Sequence, residues 1–156
     1  MKKHFPSRLG LALLAVGSLA LASCNKRTDA SPAPASAAPA GITYSTLRQG
    51  TVSAQGGVSS GGGVALVKGS DGNEYVQFKT DFHSDFHTGS LGIYLAKSSD
   101  LIKNQRAADP ASVVRVGTIT QSGAQQLAVA GMSAGFSHLI LHCDAAQYNF
   151  GAATLQ

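Results

Sequence analysis

From Tyr44 onward, apolar and polar residues alternate in short runs broken by turn residues, and the repeat is two rather than the 3.6 of a helix. Tyr75–Thr80 sets Val76 and Phe78 on one face and Gln77 and Lys79 on the other. Leu91–Ala96 groups Leu91, Ile93 and Leu95, and Ser112–Thr118 turns Val114 and Val116 inward and Arg115 outward. In Ser137–Cys143, one face carries Leu139, Leu141 and Cys143, while the other carries His138, Ile140 and His142. Leu47–Ala54, Gly63–Lys68, Leu127–Ala130 and Tyr148–Leu155 complete the expected strands. Ser70-Asp71-Gly72-Asn73 is a hairpin signal, and Gly56-Gly57 and Gly61-Gly62-Gly63 bracket a loose turn. Ser98–Ala111 is the one long break. There Asp100 is placed to cap a helical turn through Leu101, Ile102, Asn104 and Arg106, ended by Asp109-Pro110. Short strands with turns between them predict an all-β, antiparallel β-sandwich over residues 44–156. Its expected core is Val76, Phe78, Ile93, Leu95, Val114, Val116, Leu139, Leu141 and Phe150.

The first 43 residues read differently. Lys2, Lys3 and Arg8 precede a charge-free apolar run from Leu9 to Ala22, and small residues follow. That is the three-part pattern of an export signal. The run is about 14 residues, short of the ~20 a membrane-spanning helix needs. Leu21-Ala22-Ser23-Cys24 resembles the bacterial lipobox, which implies a signal peptide over 1–23 and lipidation at Cys24, making that residue the first of the mature chain. Residues 24–43 are rich in Ala, Pro and Ser, with Pro32, Pro34 and Pro39, and read as a disordered tether. The partner this implies is the lipid bilayer, reached through acylated Cys24. Asn25 stands where the enteric sorting pattern places Asp for inner-membrane retention, so the resemblance favours the outer membrane, with the head facing the periplasm.

Charge changes the picture once the signal is set aside. The chain carries 12 basic and 8 acidic residues, but three of the basic ones lie in the signal. No basic run or aromatic–basic interleaving remains, which excludes a nucleic-acid partner. The head reads as a monomer.

Few motifs carry recognisable chemistry. The glycine cluster at 56–63 lacks the Lys-Ser/Thr and the following helix of a phosphate loop. Asp71–Glu74 lacks the further ligands of a calcium loop, and no Gly-x-Ser-x-Gly or His-Glu-x-x-His occurs. No nucleophile, base and acid gather in the sequence, so a classical enzyme is not expected. His83 and His87 flank Asp85 and are candidate metal ligands. In an extended segment they stand ~13 Å apart, too far to share one ion, so a site requires the loop to fold back. The chain has two cysteines, and with Cys24 acylated Cys143 has no partner within it.

The C-terminal block, Ser137–Cys143 followed by Tyr148-Asn149-Phe150-Gly151-Ala152-Ala153-Thr154-Leu155, resembles the end of the DM13 domain. There an apolar strand runs into a single cysteine and an aromatic-Gly-Ala-Leu segment follows. Gln49-Gly50-Thr51-Val52, Tyr75-Val76-Gln77-Phe78, Leu91-Gly92-Ile93-Tyr94-Leu95 and the Val116-Gly117, Gly123 and Leu127 positions match its earlier strands in order, so the likeness covers about residues 49–156. The family often has Trp immediately before the cysteine, where this chain has His142. The resemblance implies a β-sandwich acting in redox or electron transfer, with Cys143 as the candidate redox centre, a redox or envelope protein as partner, and a metal or haem through Cys143 as the cofactor it allows. His83 and His87 are then the expected helpers of the thiol.

Two readings stay open on the residues alone. In one, Cys143 sits open at the strand's end and does redox chemistry. In the other, the protein is a non-catalytic binding or envelope-interaction module, and Cys143 points with two leucines into the core.

Overall fold

The computed structural model describes residues 40–156, so the signal, Cys24 and most of the tether lie outside the described residues. Within these residues, eleven strands, one short helix and a 3₁₀ turn make an all-β fold, and every strand pairing is antiparallel. The four-stranded sheet runs β1 (Tyr44–Thr51), β4 (Gly63–Gly69), β5 (Glu74–Phe78), β9 (Gln125–Val129). The five-stranded sheet runs β2 (Ser53–Ala54), β11 (Tyr148–Thr154), β10 (His138–Cys143), β7 (Leu91–Ala96), β8 (Val113–Ile119). A small pair, β3 (Ser60–Gly61) with β6 (His83–Ser84), closes one end.

The period-two pattern builds the core. Val64, Leu66, Val76, Phe78, Leu127 and Val129 of the first sheet meet Leu91, Ile93, Leu95, Leu139, Leu141 and Phe150 of the second in one apolar cluster. A single core drawn from two sheets is the sandwich-like arrangement expected for this patterning. Every expected core residue is buried there except Val114, which is half-buried against it.

β7 and β10 are buried on both faces because the five-stranded sheet is covered twice. Behind it, Ile102 of helix α1 (Ile102–Ala108) packs on Tyr94, Ala96, Val113, Ile140 and Ala152. Asp100 does not cap this helix as its position suggested: Leu101 holds the cap position, with no side-chain cap. The buried Gln105 instead ties the helix to the loop before it. Its Nε2 donates to the carbonyls of Ser98 (3.0 Å) and Asp100 (2.8 Å), and its Oε1 accepts from the Ser98 N–H (3.2 Å). One amide therefore satisfies three backbone groups of the preceding loop. Asp109 ends the helix as expected, accepting from the Ala111 N–H.

Two expectations need correction. Leu47–Ala54 is not one strand. Pairing starts at Tyr44 and a bulge leaves Leu47 outside, 45% exposed. The chain then breaks at Val52, whose side chain turns into the core while its N–H bonds the Gly62 carbonyl (2.9 Å), so β1 lies in one sheet and β2 in the other. Nor is 56–63 a loose turn, because β3 pairs with β6 inside it. Gly62 is required there: its φ is +97°, and a Cβ would come 2.4 Å from Phe82 Cα.

Candidate functional site

Cys143 closes β10, paired with Tyr148, as the period-two reading of that strand places it. It is 1% exposed and belongs to the central cluster with Leu139, Leu141 and Phe150. Among the described residues its sulfur makes one polar contact, accepting from the Ala146 N–H in the following turn (3.4 Å). A thiol so enclosed behaves as a small apolar side chain.

The histidines take other partners. His142 is buried on the opposite face. Its ring meets Tyr94 edge-on (centroids 5.8 Å), and its Nδ1 lies 2.8 Å from Asn149 Oδ1. Because that oxygen only accepts, the tautomer carries its proton on Nδ1. Asn149 Nδ2 in turn donates to the Asp100 carbonyl (3.1 Å). His142 thus fastens β10 and β11 to the loop before α1. A bulge at Phe150 shifts the β10–β11 register beside it without turning the imidazole toward the thiol.

His83 is exposed in β6, its Nδ1 3.2 Å from the Asp81 carbonyl oxygen. His87 is also exposed. It pairs with Asp85 (2.8 Å) and stacks on Phe150 (5.8 Å between centroids). The His87 N–H and side chain hold the Asp85 carboxyl below its ordinary range. No hydrogen bond joins either imidazole to Cys143, and among the described residues no three His, Cys, Asp or Glu side chains gather into a metal-binding group. The fold therefore keeps the sequence-level candidates apart: Cys143 in the core, His142 behind the sheet, and His83 and His87 at the surface.

Two arrangements have no counterpart in the sequence pattern. The first lies behind the five-stranded sheet. Tyr94 donates to Asp144 Oδ1 (2.6 Å), Arg115 bonds Asp144 Oδ2 (2.9 Å), and the Arg106 and Arg115 guanidinium carbons stand 5.4 and 5.9 Å from the Tyr94 ring centre. Burial first, then the hydrogen bond to Asp144, push the Tyr94 phenol up to about 12. Gly92 makes room for this latch, since a Cβ there would come 2.9 Å from Asp144 Oδ2.

The second is a groove of about 690 Å³ on the outer face of the four-stranded sheet. Register sets Gln49, Ala65, Gln77 and Gln126 side by side across β1, β4, β5 and β9. Gln77 Nε2 donates to Gln126 Oε1 (3.2 Å), and Gln126 Nε2 donates to the Tyr44 hydroxyl (3.2 Å). Gln126 is 4% exposed, so the chain of amides is fixed in direction from within the sheet. No carboxylate lines the groove, and Lys79 is its one charged residue.

No protein-family model, no curated protein and no solved structure matches this chain.

Proposed function

We propose that this protein is a non-catalytic binding module of the bacterial cell envelope, lipid-anchored through Cys24, in which Cys143 is a packing residue. The observation that carries this reading is the enclosure of Cys143 among Leu139, Leu141 and Phe150, with His83, His87, His138 and His142 all engaged elsewhere. A redox thiol needs a thiolate within reach of its reactant and a cation or metal beside it. The anchor rests on the lipobox-like tetrapeptide, and the family expectation on the DM13-like C-terminal block.

One thiol assay addresses both parts. In the native full-length protein extracted from membranes, a small aromatic disulfide reagent at pH 8 finds no reactive thiol. After unfolding it finds one, because a thioether at Cys24 does not react. Rapid native modification would overturn the packing role, and two thiols after unfolding would overturn the anchor.

The electron-transfer reading keeps one specific support. The Ala146 N–H aimed at Cys143 Sγ is the kind of donor that stabilises a thiolate, and the sulfur sits one residue before an exposed turn. Fast native labelling would restore that reading, with a metal or haem, or a redox partner protein, at Cys143.

A further inference from the structure

We infer that the amide-lined groove on the four-stranded sheet is a binding site for a polyhydroxylated glycan chain. This rests on the binding-module reading and names the ligand class. The argument starts from what an outward sheet position normally carries. A solvated face needs only polar side chains free to move. Here the end of the row on β9 is instead filled by Gln126, which is buried and held at both ends of its amide, by Gln77 on one side and Tyr44 on the other. Fixing these side chains costs rotamer entropy that a merely soluble face does not have to lose.

The ordered chain leaves hydrogen-bonding capacity unspent. The Gln77 carbonyl oxygen is free to accept and the Tyr44 hydroxyl proton is free to donate, and each carboxamide keeps a second N–H. Three carboxamides, each both a donor and an acceptor, stand along a row about 14 Å long, from three inter-strand spacings. Ala65, the one small residue in the row, deepens it between Gln49 and Gln77. A volume of about 690 Å³ is in the range of small-ligand sites.

Charge and geometry exclude the other classes. One lysine gives no phosphate-tracking stripe, and the absence of carboxylates from the lining leaves no hard-cation site. An extended peptide joins a sheet at a free strand edge, through backbone pairing. This row instead crosses the strands, where the β4 and β5 backbone groups are already used in the ladder. What remains for a ligand is side-chain amide recognition, which suits hydroxyl groups that both donate and accept.

The test is a nuclear magnetic resonance titration of the isotope-labelled full chain in detergent, with chitotetraose and cellotetraose as probes at millimolar concentration. The expected result is saturable shifts at the backbone amides of Gln49, Ala65, Gln77 and Gln126 and at the glutamine carboxamides. Gln49→Ala, an exposed position that the core does not need, weakens binding roughly fivefold, as the loss of one hydrogen bond should. Lys103→Ala, on α1 behind the other sheet, leaves the Kd unchanged. Absence of shifts with both sugars, or shifts confined to other surfaces, overturns the inference. If a short uncharged peptide moves these amides and the sugars do not, the glycan assignment fails while the binding-module reading stands. If the sugars bind and Cys143 proves reactive in the native protein, the glycan site stands and the packing role of Cys143 fails.

Discussion

The two outer faces of this sandwich-like fold have been treated in opposite ways. Behind the five-stranded sheet, helix α1 seals an apolar layer of Tyr94, Ala96, Val113, Ile140 and Ala152, and the Tyr94–Asp144–Arg115 latch pins the neighbouring turn. On the four-stranded sheet the apolar outward residues stop at Ala65, Val67 and Tyr75 with Tyr44 beside them, and a glutamine row takes over. The inner faces are alike, since both supply aliphatic residues to one core. Stability therefore resides in the inner faces and the sealed side. The open side carries side chains whose order the core does not require, and that is where a ligand-binding role fits.

Substitutions can break this comparison. The largest effect is expected from Ile140→Ala, under the helix and fully buried, at about 2–5 kcal/mol in denaturant unfolding. A loss as small as a surface change would mean that α1 does not seal that face. Tyr94→Phe should cost less, about 1 kcal/mol, since the hydrogen bond to the half-exposed Asp144 is lost but the ring stays. Its pH signature is more specific. The phenol is raised in the folded state, so the neutral form stabilises the fold below the ordinary tyrosine range near pH 10, and that contribution is lost as pH rises through about 12. Absorbance titration of the four tyrosines should therefore show a last phenol ionising near 12 that Tyr94→Phe removes. Tyr75 is also raised, by its hydrogen bond to Asp71, so the latch is excluded if the variant loses no phenol from those that ionise late. The smallest effect belongs to the open side: Gln49→Ala should leave unfolding within about 0.5 kcal/mol of the parent. A larger loss there would show that the groove is structural after all.

What the sequence disclosed follows the range of the interactions involved. Strands at 75–80, 91–96 and 137–143 were legible because alternation is local and each run buries its own face. Cys143 falls on the core face for the same reason: counting in twos from Leu139 is enough. The break at Val52 was not legible, because it depends on a bond to Gly62 and on which sheet each half joins. Gln105 was not legible either, since its role depends on the Ser98 and Asp100 backbone groups that the fold brings to it. The latch joins Tyr94 to a residue 50 positions away, and the amide pair Gln77–Gln126 spans 49. Singly, each of these looks like an ordinary polar surface position; register alone assembles them.

The clasp between the ends of the folded region has a consequence in time. The backbone of Gln49 exchanges hydrogen bonds with Gln156, at 2.8 and 2.9 Å, so β1 finds one of its neighbours only when the final residues of the chain are in place. Loop closure across nearly the whole domain must then precede the reward, which makes folding slow and late. The same clasp couples the two ends of the folded region: whatever loosens the backbone at Gln156 also loosens β1.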